Sequence, residues 1–431
     1  MNRFTTLLPV TLALLGAVCQ ATPDKAVTAD AIGLQTDRAF AQLVAVRRDL
    51  HAHPELAGQE VRTAATVAAR LRTLGLDVQT GGYGHSVVAV LRGGQPGKTV
   101  AWRAELDALP GDYRDPTPFR SQTPGVHHAC GHDIHITIAL GIAEVLAQRR
   151  GQLHGNVVFI FQPEEETFHG AKAMVDGGLL TSLAVDEIYG LHVTALPVGQ
   201  IAVRPGEMFA HKRRLRIALN DSLADADLAQ LGQRVQAALA RTRPLAKPWE
   251  IQRVGDPEVG VTSAGTAFQD YLFMDQPRTT RTSQGTVHLE ADLYETNAAH
   301  LAGILPRVTQ AVQASGHGGQ LLGVSFTQQD PTVLNDEALT RAALQTIQQA
   351  FGAGAARLAH GQAPFFNDDF AYFQQRVPGV YFFLGGSNAS KGFNAMNHAP
   401  DFAVDEDSIR TGVKTFATLI AARLGAAPVS P

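Results

Sequence analysis

Five short apolar runs, at residues 86–91, 99–102, 156–161, 187–191 and 380–384, recur in this chain between longer stretches of helical periodicity. Each is too short for a buried helix and dominated by β-branched, aromatic and leucine side chains, which is how a strand covered on both faces reads. Strands that alternate with helices predict an α/β fold, a mixed and mainly parallel sheet flanked by helices. Helical spacing appears at Phe40, Leu43 and Val44 behind a cap at Asp37, at Val61, Ala64, Ala68 and Leu71 within 60–74, and again over 336–351. At 431 residues the chain is long enough for two or three domains.

The pattern changes near Met208. Residues 215–219 read as a strand and 223–241 as a helix. Val287, Leu289, Ala291 and Leu293 alternate within 285–294, and 298–314 reads as a helix that Pro306 should kink. That β-α-β-α order predicts a small α+β domain at 208–320, inserted into an α/β domain made of 27–207 and 321–431.

Residues 1–21 read as an export signal, with Arg3 at its start, an apolar stretch at 7–18 and Ala21 at the cleavage point. The mature protein is therefore expected in the periplasm or outside the cell. A lipid on Cys19 is the less favoured reading, because bulky Val18 precedes it. No later run approaches about 18 apolar residues, so no membrane span is expected. Cleavage leaves Cys130 as the sole cysteine. An exported chain with one thiol has no internal disulfide and needs something to occupy that thiol, as a metal would. With 36 Lys and Arg against 40 Asp and Glu, the net charge is -4, which gives no footprint for nucleic acid.

The densest polar cluster is His127-His128-Ala129-Cys130-Gly131-His132-Asp133-Ile134-His135, at the start of an apolar helical run. A thiol and imidazoles packed so closely suit a borderline-soft divalent cation, although a reactive cysteine or a solvated helix start would use the same residues. Gln162-Pro163-Glu164-Glu165-Glu166 follows the third apolar run, placing carboxylates beyond a strand's carboxyl end, where open α/β sheets hold ligands. Neighbouring side chains of an extended segment point opposite ways, so Glu165 and Glu166 must divide their roles, one toward a metal and one toward substrate as a base. A solvated acidic turn is the plainer reading of the same three residues. His192 follows the fourth run, and His398 sits in Met396-Asn397-His398-Ala399-Pro400. Asp107, also beyond a strand, is placed to orient a ligand imidazole. No phosphate-cradling loop, nucleophile elbow or dinucleotide fingerprint is present, which removes the main support for serine catalysis and hydride transfer. Cys130 as a nucleophile with His132 as its base leaves the glutamates unexplained.

Longer segments join these residues: RRDLHAHPEL at 47–56, RAELDALP at 103–110, HACGHDIH at 128–135, FQPEEETFHGAK at 161–172, GLH at 190–192 with PVG at 197–199, then DDF at 368–370, VPG at 377–379 and NHAP at 397–400. With them the chain resembles the metal-dependent amidohydrolases that include hippurate hydrolase and the plant auxin-conjugate hydrolases, relatives of carboxypeptidase G. The resemblance implies a zinc-exopeptidase-like catalytic domain with an inserted lid. It implies two divalent ions, Zn²⁺ or Mn²⁺ with Co²⁺ and Ni²⁺ as further candidates, held by Cys130, His132, Glu166, His192 and His398, with the Cys130 thiolate bridging. Glu165 is then the general base, and the substrate an N-acyl amino acid or short peptide. An exported dipeptidase or aminopeptidase, and a catalytically silent metal- or ligand-binding protein, are the alternative readings. The lid departs from the family pattern. Asn220-Asp221-Ser222-Leu223-Ala224 stands where a Gly-Gly-His-Ala segment is usual, and the usual Asn-Val-Ile-Pro is absent near Thr282. Both departures put the lid's share in substrate binding, and the family's homodimer, in question. Glu105, Glu164 and Asp368 stand where the family usually has Asp, Ala and Glu.

Overall fold

The computed structural model describes residues 27–425, so the expected export signal at 1–21 lies outside the described residues. The larger sheet has eight strands: β1 (Asp77–Thr80), β2 (Val87–Arg92), β3 (Gln95–Glu105), β4 (His154–Gln162), β5 (Glu187–Pro197), β6 (Ile201–Val203), β7 (Ala356–Leu358) and β8 (Gly379–Ser387). Their order is β1-β2-β4-β3-β5-β8-β6-β7. The pairs β3/β4, β3/β5, β5/β8 and β6/β7 are parallel, and β1/β2, β2/β4 and β6/β8 antiparallel. All five expected runs lie in this sheet.

The runs are apolar throughout because both faces are covered. Along β2, Val87, Ala89 and Leu91 enter one core cluster and Val88 the other. The first face carries α1 (Ala29–Ala52), α2 (Val61–Thr73), α3 (His132–Ala147), α4 (Glu337–Phe351) and α5 (Asp407–Arg423), whose Leu43, Leu50, Ile138, Ile142 and Val413 are fully buried. Trp102 of β3 meets Phe416 of α5 at 4.9 Å between rings. Full burial of such side chains contributes roughly 1.5–3 kcal/mol each. α1 starts well before the expected cap at Asp37: Thr28 is its N-cap and accepts the Ala31 N–H at 3.2 Å. None of the described helices is long and apolar enough to cross a membrane.

The second domain is a wholly antiparallel sheet in the order Leu272–Met274, Thr286–Glu295, His211–Asn220, Leu321–Gln328, with Arg278–Arg281 also paired to Thr286–Glu295. Leu215, Ile217 and Leu219 face helices Asp225–Leu239 and Ile304–Ala314, while Arg214 and Arg216 on the other face pair with Asp292 and Glu290 of the adjacent strand. Leu321–Gln328 belongs to this sheet, so the insert extends past the boundary expected at 320. Pro306 produces no kink. A 3₁₀ turn over Ala298–Gly303 precedes the helix, and Pro306 falls in the first turn, where no intrahelical N–H is needed.

Charged side chains are enclosed within the larger sheet's domain, Arg47 with Asp133 and Arg103 with a group of acids. Arg103 of β3 is buried and paired with Glu105, Asp368 and Asp369, and its Nε donates to Gln162 at 2.8 Å. Asp369 also accepts the Ala171 N–H at 2.9 Å, which ties β3, β4 and the 368–370 segment into one unit. Arg103→Leu strands these carboxylates without a cation and is expected to cost about 3–5 kcal/mol in urea unfolding. Arg92→Ala, at an ion pair with Asp77 that is about two-thirds exposed, should cost under about 1 kcal/mol.

Candidate metal centre

β3, β4, β5 and β8 run in the same direction, so their carboxyl ends share one edge, and the polar clusters converge there. β3 ends at Glu105, and Asp107 lies just beyond. Its main-chain carbonyl accepts the Nδ1–H of His132 at 2.7 Å, which turns Nε2 of that ring inward as the free lone pair. The Asp107 carboxylate, expected to orient the imidazole, instead accepts the N–H of Glu165 at 3.1 Å and of Glu166 at 3.0 Å. One residue therefore fixes both the start of α3 and the turn after β4. Gly131 caps α3 at φ 92°, and a Cβ there would lie 2.4 Å from Val193. Glycine is required by both its backbone conformation and its packing.

His192 lies inside β5, not beyond a strand end as expected. β3 pairs with β5 only as far as Gly190, so β5 runs on against β8 alone and His192 faces the open edge. Its Nδ1 bonds the Val193 carbonyl at 2.9 Å, and its Nε2 reaches Cys130 Sγ at 3.3 Å. His398 arrives from the other end of the chain with φ 61°, a conformation that costs a non-glycine residue on the order of 1–3 kcal/mol. The Asn397 amide offsets it by donating to the carbonyls of Cys130 at 3.1 Å and Val193 at 2.9 Å. His398 Nε2 is consequently 3.2 Å from Cys130 Sγ and 3.5 Å from Glu166 Oε1. Glu165 Oε2 lies 3.7 Å, and Glu166 Oε1 3.9 Å, from His132 Nε2.

All six residues singled out in the sequence thus meet in one place. Donor atoms of Cys130, His132 and His192 fall within 4.8 Å of one another, as do those of Cys130, Glu166 and His398. His132 Nε2 and Glu166 Oε1 are buried with no hydrogen-bond partner among the described residues, as expected of donors aimed at a cation. Burial drives the His132 imidazole down to about 3, with His192 and His128 adding to the effect, so it is a neutral donor. Burial, then Glu166 and Glu165, push the Cys130 thiol well up, so a thiolate there needs a cation beside it. The two glutamates diverge. Burial, Asp368 and Glu166 raise Glu165 well above the usual carboxylate range. Burial also opposes ionisation of Glu166, but His398 and His132 outweigh it and hold the carboxylate at about 2. His135 is occupied elsewhere, by Glu105 at 2.7 Å and the Val193 N–H at 2.9 Å.

The cluster opens into a cavity of about 660 Å³. Phe168, Phe209, Phe365 and Phe366 line it, with Ile251 and Gln252 from a 3₁₀ turn of the insert (Ile251–Arg253) and Lys212 from the insert's first strand. Sequence reasoning missed these wall residues, because none lies in a motif of metal-ligand type.

A model of peptidase family M20/M25/M40 matches residues 101–422. The chain is 31% identical to an N-acetylcysteine deacetylase of Bacillus subtilis, over 89% of this chain and 97% of that one. It is also 31% identical to thermostable carboxypeptidase 1 of Saccharolobus solfataricus, over 88% and 94%. A solved Bacillus subtilis structure, described as a dinuclear metal binding peptidase from the M20 family, superposes with a TM-score of 0.72 at 26% identity, covering 91% of this chain and all of that one.

Because Asp107 grips three of the clustered residues without being a donor itself, Asp107→Ala should lower metal affinity about 10- to 100-fold in competition with a chelator. Unchanged affinity would show that the turn after β4 holds itself.

Proposed function

The chain belongs to the peptidase family M20/M25/M40, and from that premise we propose that it is a dinuclear-metal amidohydrolase that releases a free amino acid from an N-acyl amino acid. Cys130, His132, Glu166, His192 and His398 would hold the two divalent ions, of the Zn²⁺ or Mn²⁺ class, Cys130 belonging to both donor groupings. When bound, such ions lower the pKa of a water and polarise the amide carbonyl. Glu165 takes the proton of the attacking water at its carboxylate and delivers it to the departing nitrogen. The observation that carries this reading is the split between the paired glutamates. Glu166 is held ionised beside His398 and His132 and stands with the donor cluster, while burial and Asp368 raise Glu165, whose Oε2 lies 3.7 Å from His132 Nε2 at the edge of that cluster.

Deacetylase relatives, such as the N-acetylcysteine enzyme, support an acylated substrate. The decisive experiment pairs metal content by mass spectrometry with hydrolysis of matched acetylated and free-amine dipeptides before and after chelation. Chelator-sensitive cleavage of the acetylated substrate is expected, and preference for the free amine would replace the proposal with a dipeptidase. Glu165→Gln should lower kcat about 100- to 10,000-fold with metal content unchanged. Loss of metal in that variant would make Glu165 a ligand instead.

Export belongs to the same proposal, supported by Arg3, the apolar stretch at 7–18 and Ala21. N-terminal sequencing of the mature protein should start at Thr22, and a cytosolic chain that retains Met1 would overturn it.

A further inference from the structure

Residues 111–125 form neither helix nor strand, and the pairing of Leu109–Pro110 with Val126–His127 closes them into a loop just ahead of Cys130. One contact ties this loop to a donor. The Arg114 N–H bonds the Pro400 carbonyl at 2.6 Å, two residues beyond His398. His398 has φ 61° and a side chain 52% exposed, so it needs such a hold from outside its own turn.

Asp115 anchors the loop. Its carboxylate lies 2.7 Å from His51 Nε2, and His51 Nδ1 lies 2.8 Å from Asp133, the residue after His132. All three side chains are at most 6% exposed. An ionised carboxylate can only accept, so both ring nitrogens must donate and His51 is an imidazolium. Phe119 of the loop adds to the hold, its ring 4.7 Å from the Arg47 guanidinium, 4.9 Å from that of Arg48 and 5.4 Å from the His51 ring.

Around His51 stand Arg47 of α1, Asp133 of α3, His127 and His128 ahead of α3, and Asp115 of the loop. Glu406, ahead of α5, pairs with Arg47 and Arg48. Burial and Arg47 oppose the charge on His51, but Asp133 and Asp115 outweigh them and raise it above the ordinary imidazole range. When the pH rises through that raised value, one nitrogen loses its proton and turns a lone pair toward a carboxylate, which weakens the contact. The donors behave in the opposite sense and lose metal as the pH falls, because they must be deprotonated to bind it.

We propose that His51 and Asp115 are positioning residues for the metal centre. Their ion pair clasps residues 111–125 against α1 and α3, and the clasped loop holds His398 among the donors through the bond from Arg114 to Pro400. The proposal rests on the dinuclear-metal reading above.

The test loads wild type and Asp115→Ala with Zn²⁺ and follows its release to a chromogenic chelator from about pH 6 to about pH 9, on either side of the raised imidazole value. At the acid end the variant should release about half of its metal, the share at His398, about 10-fold faster than wild type, with the remainder unchanged. The ratio of variant to wild type cancels protonation of the donors themselves. It should fall toward one as the pH rises and the wild-type clasp opens. Asp115→Asn, which can still hydrogen-bond a neutral His51, should restore most of the retention and remove its dependence on pH. A ratio that does not vary with pH, or equal acceleration of all the metal, would mark Asp115 as general support for the fold and overturn the proposal, as would unchanged release. If the wild type binds no metal, the reading beneath the proposal fails, and hydrogen exchange on the metal-free chain still decides the clasp. Asp115→Ala should then speed exchange in both 111–125 and 394–400, where the His398 N–H is bonded to the Ala129 carbonyl at 2.9 Å. Exchange unchanged in 394–400 would refute it.

Discussion

Asp107 joins the two halves of the cluster. Its carbonyl aims the His132 ring and its carboxylate holds the amides of Glu165 and Glu166, so one residue past β3 sets the start of α3 and the turn after β4. Parallel pairing of β3 with β4 and β5 makes this possible, because it delivers three strand ends to one edge. The Asn397 amide makes the equivalent joint on the other side, binding the carbonyls of Cys130 and Val193 and so carrying His398 to the thiol. Without these two bridges the donors would sit on four independent turns, each free to move by more than coordination geometry tolerates.

The electrostatics of the cluster call for a cation. Burial shifts the Cys130 thiol and Glu165 up and the His132 and His192 imidazoles down, which in each case favours the neutral form. Glu166 alone is held ionised, by its imidazole neighbours. A site that penalises its own charges in this way is one where a divalent ion would change the balance most, since it stabilises the thiolate and the carboxylates together. Behind this layer, Arg103 answers Glu105, Asp368 and Asp369 with one buried cation. It opposes, without cancelling, the upward push of Asp368 and Asp369 on Glu165.

The donors were legible in the sequence because their chemistry is local. Cys130 and His132 lie two residues apart at a helix start, and Glu165 and Glu166 follow a strand that its apolar composition announces. His192 and His398 carried weaker signals and became informative only through the longer segments around them. The strands with the clearest runs are those covered on both faces, whereas β1, β6 and β7 span only three or four residues, too few for a periodicity to register. The extent of the insert was underestimated for a related reason. In Leu321–Gln328 every residue is exposed or only partly buried, so its place in the second sheet is set by pairing with His211–Asn220 and not by apolar composition. Asp107 shows a further limit: its position was readable, but not whether carbonyl or carboxylate would hold the ring.

Chemistry and selection are built from different parts of this chain. Every donor of the cluster comes from the larger sheet's domain, on strand ends, a helix start and one turn braced by side-chain amides. The wall that a substrate meets also draws on Lys212, Ile251 and Gln252 of the insert and on Phe365, whose φ is 65° and whose ring packs 4.7 Å from Tyr294 of the insert. Catalytic donors must hold fixed distances to one another, which ties them to strand ends in register. Wall residues need only present a surface of suitable shape and charge, so irregular segments can supply them. The insert's departures from the family pattern, at 220–224 and near Thr282, lie outside this wall and leave the donor cluster in place.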